Sequence, residues 1–358
     1  MSGMWGNKLK VSIFGESHGV GIGITIDGLP SGVEINLEEV MKEMARRAPG
    51  KSNLSTARKE ADAPEILSGF FEGKTTGTPL CAVIRNSDMR SKDYGKLKDL
   101  MRPGHADYPG FIRYNGFKDY RGGGSFSGRI TAPLVFAGAV CKQVLESKGI
   151  NIGAHVKGIG NVEDKSFYDV ELSRELLEEL KTKELPLLIQ EKEEEMRDTI
   201  LKAKKEQDSV GGTIECTVLG INPGIGNPFF DSVESTLAHL MFSVPAVKGI
   251  EFGKGFEMSK LRGSDCNDEY YYDGDKVKTY TNNNGGITGG ITNGMPILFK
   301  VGIKPTPSIS KIQRTIDISE KKEAELVIEG RHDPCIVQRA VPVIEAVTAI
   351  GILDLLLS

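Results

Sequence analysis

Three of the five histidines stand beside glycine or proline in stretches that also carry carboxylates or arginines: His18 in GESHG, His105 in RPGHAD and His332 in GRHDP. An imidazole titrates near neutrality, so one held in a turn next to a charged neighbour suits proton transfer. Singly, each reads as an ordinary turn residue; the three surroundings together favour catalysis. His155 falls in a strand-like pattern and His239 in an apolar helical one, and both read as structural.

The densest chemistry lies between Arg102 and Arg129, RPGHADYPGFIRYNGFKDYRGGGSFSGR. His105 follows Arg-Pro-Gly, then come Arg113, Lys118 and Arg121, three consecutive glycines, two serines and Arg129. Glycines let backbone N–H groups approach a ligand closely, and guanidinium groups offer forked donors to phosphate or carboxylate. The Gly and Pro content predicts an irregular, anion-handling loop region without regular helix or strand.

Other chemistries fit less well. The His and carboxylate residues of GESHG, PGHAD and RHDP could ligate a metal, but each is bordered by arginine or glycine clusters, and no metal site is expected. SGFFEGKTTG resembles a phosphate-binding loop but has three residues between Gly69 and Gly73 where four are needed. The glycines after Arg121 lack the strand–GxGxxG–helix order of a dinucleotide site.

Composition narrows the class further. A chain of 358 residues, 39% hydrophobic and 26% charged, can bury a large core. Forty-five basic against 49 acidic residues give a net charge of −4, which argues against a nucleic-acid or anionic-membrane surface. An isolated RGGG in such a chain does not make a nucleic-acid tract. Five widely spaced cysteines without a CxxC pair read as reduced thiols, and the N-terminus lacks a signal-peptide pattern, so a cytoplasmic protein is expected. Pro342, Glu345 and Asp354 interrupt the apolar C-terminus as a membrane span.

The elements that must position these residues are legible from periodicity. Strands are predicted at Lys10–Phe14, Ile22–Ile26, Ile66–Phe71, Pro79–Ile84, Ile152–Gly158, Gly212–Val218 and Ile297–Ile303. Helices are predicted from an Asn36 cap to Arg47, from a Thr131 cap through Val144, over Leu172–Leu180, Glu191–Lys205 and Ser232–Phe242, and from Pro342 to about Leu357. The charge of the middle pair reads as a solvated face. Asp265–Thr281, with three consecutive tyrosines, reads as a mobile surface excursion. Gly23–Arg47 and the segment from Gly212 to Phe242 share a strand–turn–helix pattern, so one composite domain with an internal pseudo-duplication is expected.

Eight motifs, GESHG, RRAPG, RPGHADYPG, RGGGSFSGR, VPAVKGIEFG, NNNGGITGGITNG, KPTPSI and GRHDPC, occur in the order seen in the chorismate synthase family, and the chain resembles that family from Phe14 to the last helix. The resemblance implies a lyase that converts 5-enolpyruvylshikimate 3-phosphate to chorismate and phosphate, requires reduced FMN, and shows no net redox change. It also implies an α+β fold, a β-α-β sandwich with a helical layer between antiparallel sheets, assembled as a homotetramer. A substrate with two carboxylates and a phosphate calls for cationic side chains, and Arg47, Arg102, Arg129 and Arg331 are the expected ones.

By the same resemblance His18 acts on the departing phosphate, His105 stabilises or protonates the reduced flavin, and Asp333 manages a proton at flavin N5 with Ser17 as relay. Flavin contacts fall to Ser125, Phe126, Ser127, Ala246, Gly289, Lys304, Pro305, Thr306, Pro307, Ser308 and Arg331. Two departures stand out. Many relatives read RGGGRSSAR, so Ser125 and Phe126 replace an arginine and a serine, and Asn53 stands where an arginine is frequent. The length leaves no room for a large added domain, so flavin reduced by an external reductase is expected, with reduction by NADPH on this chain as the alternative. The rival functions are a flavin-binding protein or flavin reductase on the same scaffold, and a non-enzymatic anion-binding module.

Overall fold

The computed structural model describes residues 3–50, 62–86, 98–328 and 332–358. Two five-stranded sheets, each antiparallel throughout, flank its central helices. In space the first runs Met4–Trp5, Lys10–Gly15, Gly21–Asp27, Leu80–Arg85, Pro64–Ser68, and the second Val247–Phe252, Ile297–Ile303, Gly212–Leu219, Asn151–Ile159, Val162–Glu163. The central strands GIGITID and GTIECTVL carry β-branched residues at buried positions, as strands packed against a further layer must.

The helices are α1 (Leu37–Arg47), α2 (Asp107–Arg113), α3 (Thr131–Glu146), α4 (Arg174–Thr182), α5 (Lys192–Lys205), α6 (Val233–Ser243), the one-turn α7 (Gly263–Cys266) and α8 (Val337–Leu357). α3 (TAPLVFAGAVCKQVLE) and α8 are apolar on nearly every side, which suits helices enclosed by other elements. α3 touches Gly21–Asp27 and Leu80–Arg85 of the first sheet and Asn151–Ile159 of the second, while α8 lies on Asn151–Ile159 and Gly212–Leu219. The two helices cross at Gly138, where an added Cβ would come 2.2 Å from that of Ala346. A helical layer between antiparallel sheets is therefore the observed architecture, as expected. α8 is long and apolar enough to cross a membrane, but most of it is buried in the core of the protein.

Four expectations change. The stretch from Arg102 to Arg129 contains a regular helix, α2, because Pro109 falls in its first turn, where no intrahelical N–H is needed, and Asp107 favours its N-terminus. α8 starts five residues before Pro342; the buried Val337 and Val341 continue its apolar face, and that burial offsets the bond the proline omits. The capping hydroxyl before α3 belongs to Ser127, which accepts from the Arg129 amide, while Thr131 donates to the Gly128 carbonyl at 2.6 Å. Asp265–Thr281 folds in large part into a hairpin, Tyr270–Asp273 against Lys276–Thr279, with Tyr271 stacked on Tyr280 at 4.6 Å between ring centroids. A further hairpin, Gln313–Asp317 with Lys322–Leu326, escaped the reading because its strands are polar and short.

Candidate active site

The turn RPGHAD closes through a hydrogen bond from the His105 amide to the Arg102 carbonyl, 3.2 Å, and α2 begins two residues later. Asp107, buried at the first position of that helix, gathers the whole motif. It accepts from Arg102 Nε at 2.7 Å, Arg102 Nη2 at 3.0 Å, the Arg102 amide at 3.2 Å and Lys118 Nζ at 3.2 Å. His105 Nδ1 lies 3.0 Å from Asp107 Oδ1 and 3.2 Å from Arg102 Nη2. Burial raises the cost of the Asp107 charge, but hydrogen bonds from His105 and Arg102 outweigh it and hold the carboxyl well below the usual carboxylate range. Burial pushes His105 below the ordinary imidazole value; Arg102 and Lys118 act in the same sense, and the bond to Asp107 only partly opposes them.

His18 lies across a glycine turn from this cluster. Gly122, Gly123 and Gly124 have φ values of +60°, +91° and +55°, a left-handed run that side chains disfavour. An added Cβ at Gly122 would stand 2.2 Å from His18 Nδ1 and Cε1, and one at Gly123 would stand 3.2 Å from His105 Nε2 and Cε1. The bare backbone of RGGG is thus wedged between the two imidazoles. Ser17 ties the GESHG loop to the same turn: its amide donates to the Gly124 carbonyl at 3.2 Å, and its hydroxyl donates to the Arg121 carbonyl at 3.3 Å and faces His18 Nδ1 at 3.2 Å. Glu16 is pushed up by burial and by the Asp119 carboxyl beside it, while Asp119 is held down by Arg121.

Arg47 and Arg129 converge on one buried carboxylate. Arg47 Nη1 donates to Asp62 Oδ2 at 2.7 Å, and Arg129 Nη1 pairs with Asp62 Oδ1. Arg129 Nε donates to Asn86 Oδ1 at 3.2 Å, and the Asn86 amide donates in turn to the carbonyls of Glu16 and Gly19 at 3.0 and 2.9 Å, linking the arginines to the His18 loop. Asp333 pairs with Arg339 Nη1, whose Nε donates to the Arg47 carbonyl at 3.0 Å, so Asp333 reaches the arginine cluster at one remove.

The KPTPS loop reaches the same region from the second sheet. Lys304 Nζ donates to the Gly104 carbonyl, an added Cβ at Gly104 would meet Pro307 at 3.4 Å, and the Lys304 amide donates to the Ala246 carbonyl at 3.0 Å. Burial, and then Lys248 beside it, lower the Lys304 ammonium from its ordinary value. Pro305 adjoins Gly211, the Thr306 carbonyl accepts from Ser209 at 2.7 Å, and Ser308 is buried. Phe126 packs its ring over Gly110 and lies 6.2 Å from the Tyr114 ring, so this departure from the family pattern anchors the glycine turn to α2. Ser125 is half-buried and Ser127 caps the turn at Arg129. Gly289 sits at the tip of the hairpin Ile287–Thr288/Ile291–Thr292, which bonds to Gly224 and Ile225 and to Val233 at the start of α6. Arg331 and Asn53 lie outside the described residues.

Asp62, Asn86 and Arg339 escaped the sequence reading, and Asp107 and Lys118, both within the Arg102–Arg129 stretch, were given no role there. Asp107 lies two residues from His105, whereas Asp62, Asn86 and Arg339 come from distant segments whose meeting depends on tertiary packing. Of the two histidines read as structural, His239 packs edge-on to Trp5 at 6.4 Å. His155 is fully buried between Glu215, at 2.9 Å from Nε2, and Asp164, at 3.3 Å from Nδ1.

Comparison with known proteins places this geometry. The chorismate synthase family model matches residues 9–357. The chorismate synthase of Pyrococcus abyssi is 48% identical over 99% of this chain and 97% of its own. Those of Methanocaldococcus jannaschii and Thermococcus kodakarensis are each 45% identical over 99% of this chain, and 96% and 97% of theirs. A crystal structure of a chorismate synthase superposes with a TM-score of 0.77 at 33% identity, covering 99% of this chain and 93% of that one. By sequence and by fold, the chain belongs to the chorismate synthase family.

Proposed function

We propose that the chain converts 5-enolpyruvylshikimate 3-phosphate to chorismate and phosphate by 1,4-elimination, in the shikimate pathway, with reduced FMN bound. The observation that carries this reading is the placement of buried His18 and half-buried His105 on opposite sides of one glycine turn, with arginine clusters tied to each. The protein fits a flat, anionic cofactor: the Gly123 position keeps side-chain atoms away from the Nε2 edge of His105, and Lys304 supplies a cation beside it through the Gly104 carbonyl. Ser125, Phe126, Ser127, Ala246, Gly289, Lys304, Pro305, Thr306, Pro307, Ser308 and Arg331 are the residues assigned to hold it. When bound, reduced FMN supplies electron density to the substrate and takes up the C6 hydrogen.

The chain's own residues do the remaining work. Arg47, Arg129 and Arg331 bind the substrate's phosphate and carboxylates, and Arg102 acts at the His105 side of the site. Ser17, whose hydroxyl donates to the Arg121 carbonyl, presents a lone pair to His18 Nδ1 and orients that ring. His18 then hydrogen-bonds or protonates the leaving phosphate, and His105 compensates the negative charge of the cofactor. Asp333 manages the proton at flavin N5, with Ser17 as relay.

The wider reading is a cytoplasmic homotetramer served by an external flavin reductase. The exposed Phe229, Phe230 and Phe256 offer apolar surface for association, and all five cysteines are free thiols. The suggested duplication is supported by Gly21–Asp27 and Gly212–Leu219, each the third strand of a five-stranded sheet and each followed in the chain by a further helix, α1 and α6.

The residue roles are tested with His18→Ala and His105→Ala assayed anaerobically with photoreduced FMN. Turnover is expected to fall by about 10²–10⁴-fold in each, with FMN binding kept within about tenfold. Normal turnover in both would remove the acid–base assignments, and a change in affinity alone would favour a binding module.

A further inference from the structure

His105 has two ring nitrogens, and its environment distinguishes them. Nδ1 points into the buried group of Asp107, Arg102 and Lys118, whereas Nε2 lies along the glycine turn. Asp107 is ionised and has no proton to give, so a bare Nδ1 at 3.0 Å would set two lone pairs against each other. Arg102 Nη2, 3.2 Å from Nδ1, carries two N–H groups, but one is aimed at Asp107 Oδ1 in the two-pronged pair, and the other diverges from it by about 120° whereas Nδ1 lies only about 60° away, so it is poorly aimed at the ring. The geometry points to Asp107 as the positioning residue of this site, holding His105 with its proton on Nδ1 and its Nε2 lone pair turned to the glycine turn. Arg102 and Lys118 complete the device by fixing the carboxylate; the other titratable neighbours are Lys304, which donates to the adjacent Gly104 carbonyl, and His18, beyond the Gly122 backbone.

This rests on the proposed role of His105, and it specifies how that role is set up. With the proton on Nδ1, Nε2 is an acceptor in the resting protein, and a proton taken up there can be handed to a ligand lying along the turn. The Ala variant separates the alternatives. Asp107→Ala removes the acceptor that faces Nδ1 and leaves the Arg102 Nη2 donor 3.2 Å from it, so His105 answers by moving its proton to Nε2.

The test is nitrogen-15 NMR of histidine-labelled full-length protein at pH 8, with the His105 signals assigned by their loss in His105→Gln. In the native protein the protonated, pyrrole-like nitrogen of His105 is expected to be Nδ1; a proton on Nε2 with bare Nδ1 overturns the proposal without any variant. In Asp107→Ala the proton is expected on Nε2, and His105 titrates at lower pH because a neighbouring negative charge is gone. The variant's kcat falls by about 10²–10⁴-fold with KM changed less than about threefold. An Ala variant that keeps both the native tautomer and native turnover contradicts the proposal. If His105→Gln itself turns over normally, the catalytic reading of His105 fails while the tautomer result still stands or falls by the spectrum.

Discussion

A methyl group at Gly122 would stand 2.2 Å from two atoms of the His18 ring and 2.8 Å from Ser17 Oγ, in a backbone conformation with φ of +60°. No shift of a flexible side chain relieves that, because the ring and hydroxyl are themselves the functional groups. Gly122→Ala is therefore expected to displace His18 and lower turnover by about 100-fold or more, in line with loss of a positioned acid–base group. Thermal unfolding of the same variant reports the separate cost of the left-handed backbone, of order 1 kcal/mol or more. Asp62 is the other single residue on which much depends. Asp62→Ala leaves Arg47 and Arg129 buried without the carboxylate they share, with an expected loss of about 3–5 kcal/mol in denaturant titration. The histidines were legible in the sequence because Gly and Pro flank them. Asp62 was not, since nothing in the chain around it reveals that two arginines from other segments close on its carboxyl group.

At the scale of elements, the site depends on how α3 and α8 pack. The glycine turn leads directly into α3, and α3 is fixed by its close crossing of α8 at Gly138 and Ala346. Gly138→Val is expected to force the helices apart, costing about 1–3 kcal/mol by chemical unfolding and lowering turnover through the displaced turn. Below this crossing α8 carries Glu345, fully buried, which pairs with Arg46 at 2.6 Å and with Lys142 and accepts from the Ala154 amide at 3.0 Å. One carboxylate thus joins α1, α3, α8 and the second sheet, and its partner Arg46 is next in sequence to Arg47. Both apolar helices were legible from composition alone. The start of α8 was not, because a proline normally marks a boundary and burial here overrides it. The helix α2 was hidden by a related signal: an adjacent Pro and Gly break its pattern, yet the proline falls where a helix tolerates one.

At the scale of the whole molecule, two buried charge networks set the pH range of stability. Burial opposes the Glu345 charge, but Arg46 and then Lys142 outweigh it, so its folded pKa lies well below the unfolded one. A depressed carboxyl contributes stability fully above the unfolded value, about 4.3, and loses it as pH falls through the folded value. Glu345→Gln is therefore expected to be destabilised by about 3–5 kcal/mol at pH 7, with the gap from the native protein narrowing below about pH 4 in urea titrations. His155 behaves oppositely. Burial lowers it, but hydrogen bonds donated to Asp164 and Glu215 raise the net value above that of a free imidazole. Its contribution is fully present below the unfolded value, about 6.5, and fades as pH rises through the folded value. His155→Gln should thus lose stability chiefly at pH 5–6.5, and lie closer to the native protein above the folded value. The sequence marked His155 as structural but concealed its two carboxylate partners, one across a strand pair and one in a following loop.

The most direct measurement is turnover of the native protein, held anaerobically with 5-enolpyruvylshikimate 3-phosphate and FMN, following phosphate release and chorismate absorbance. With photoreduced flavin, both products are expected in equal amounts, and with oxidised flavin neither. Phosphate and chorismate formed equally well under oxidised flavin, or no product despite FMN binding, would contradict the account.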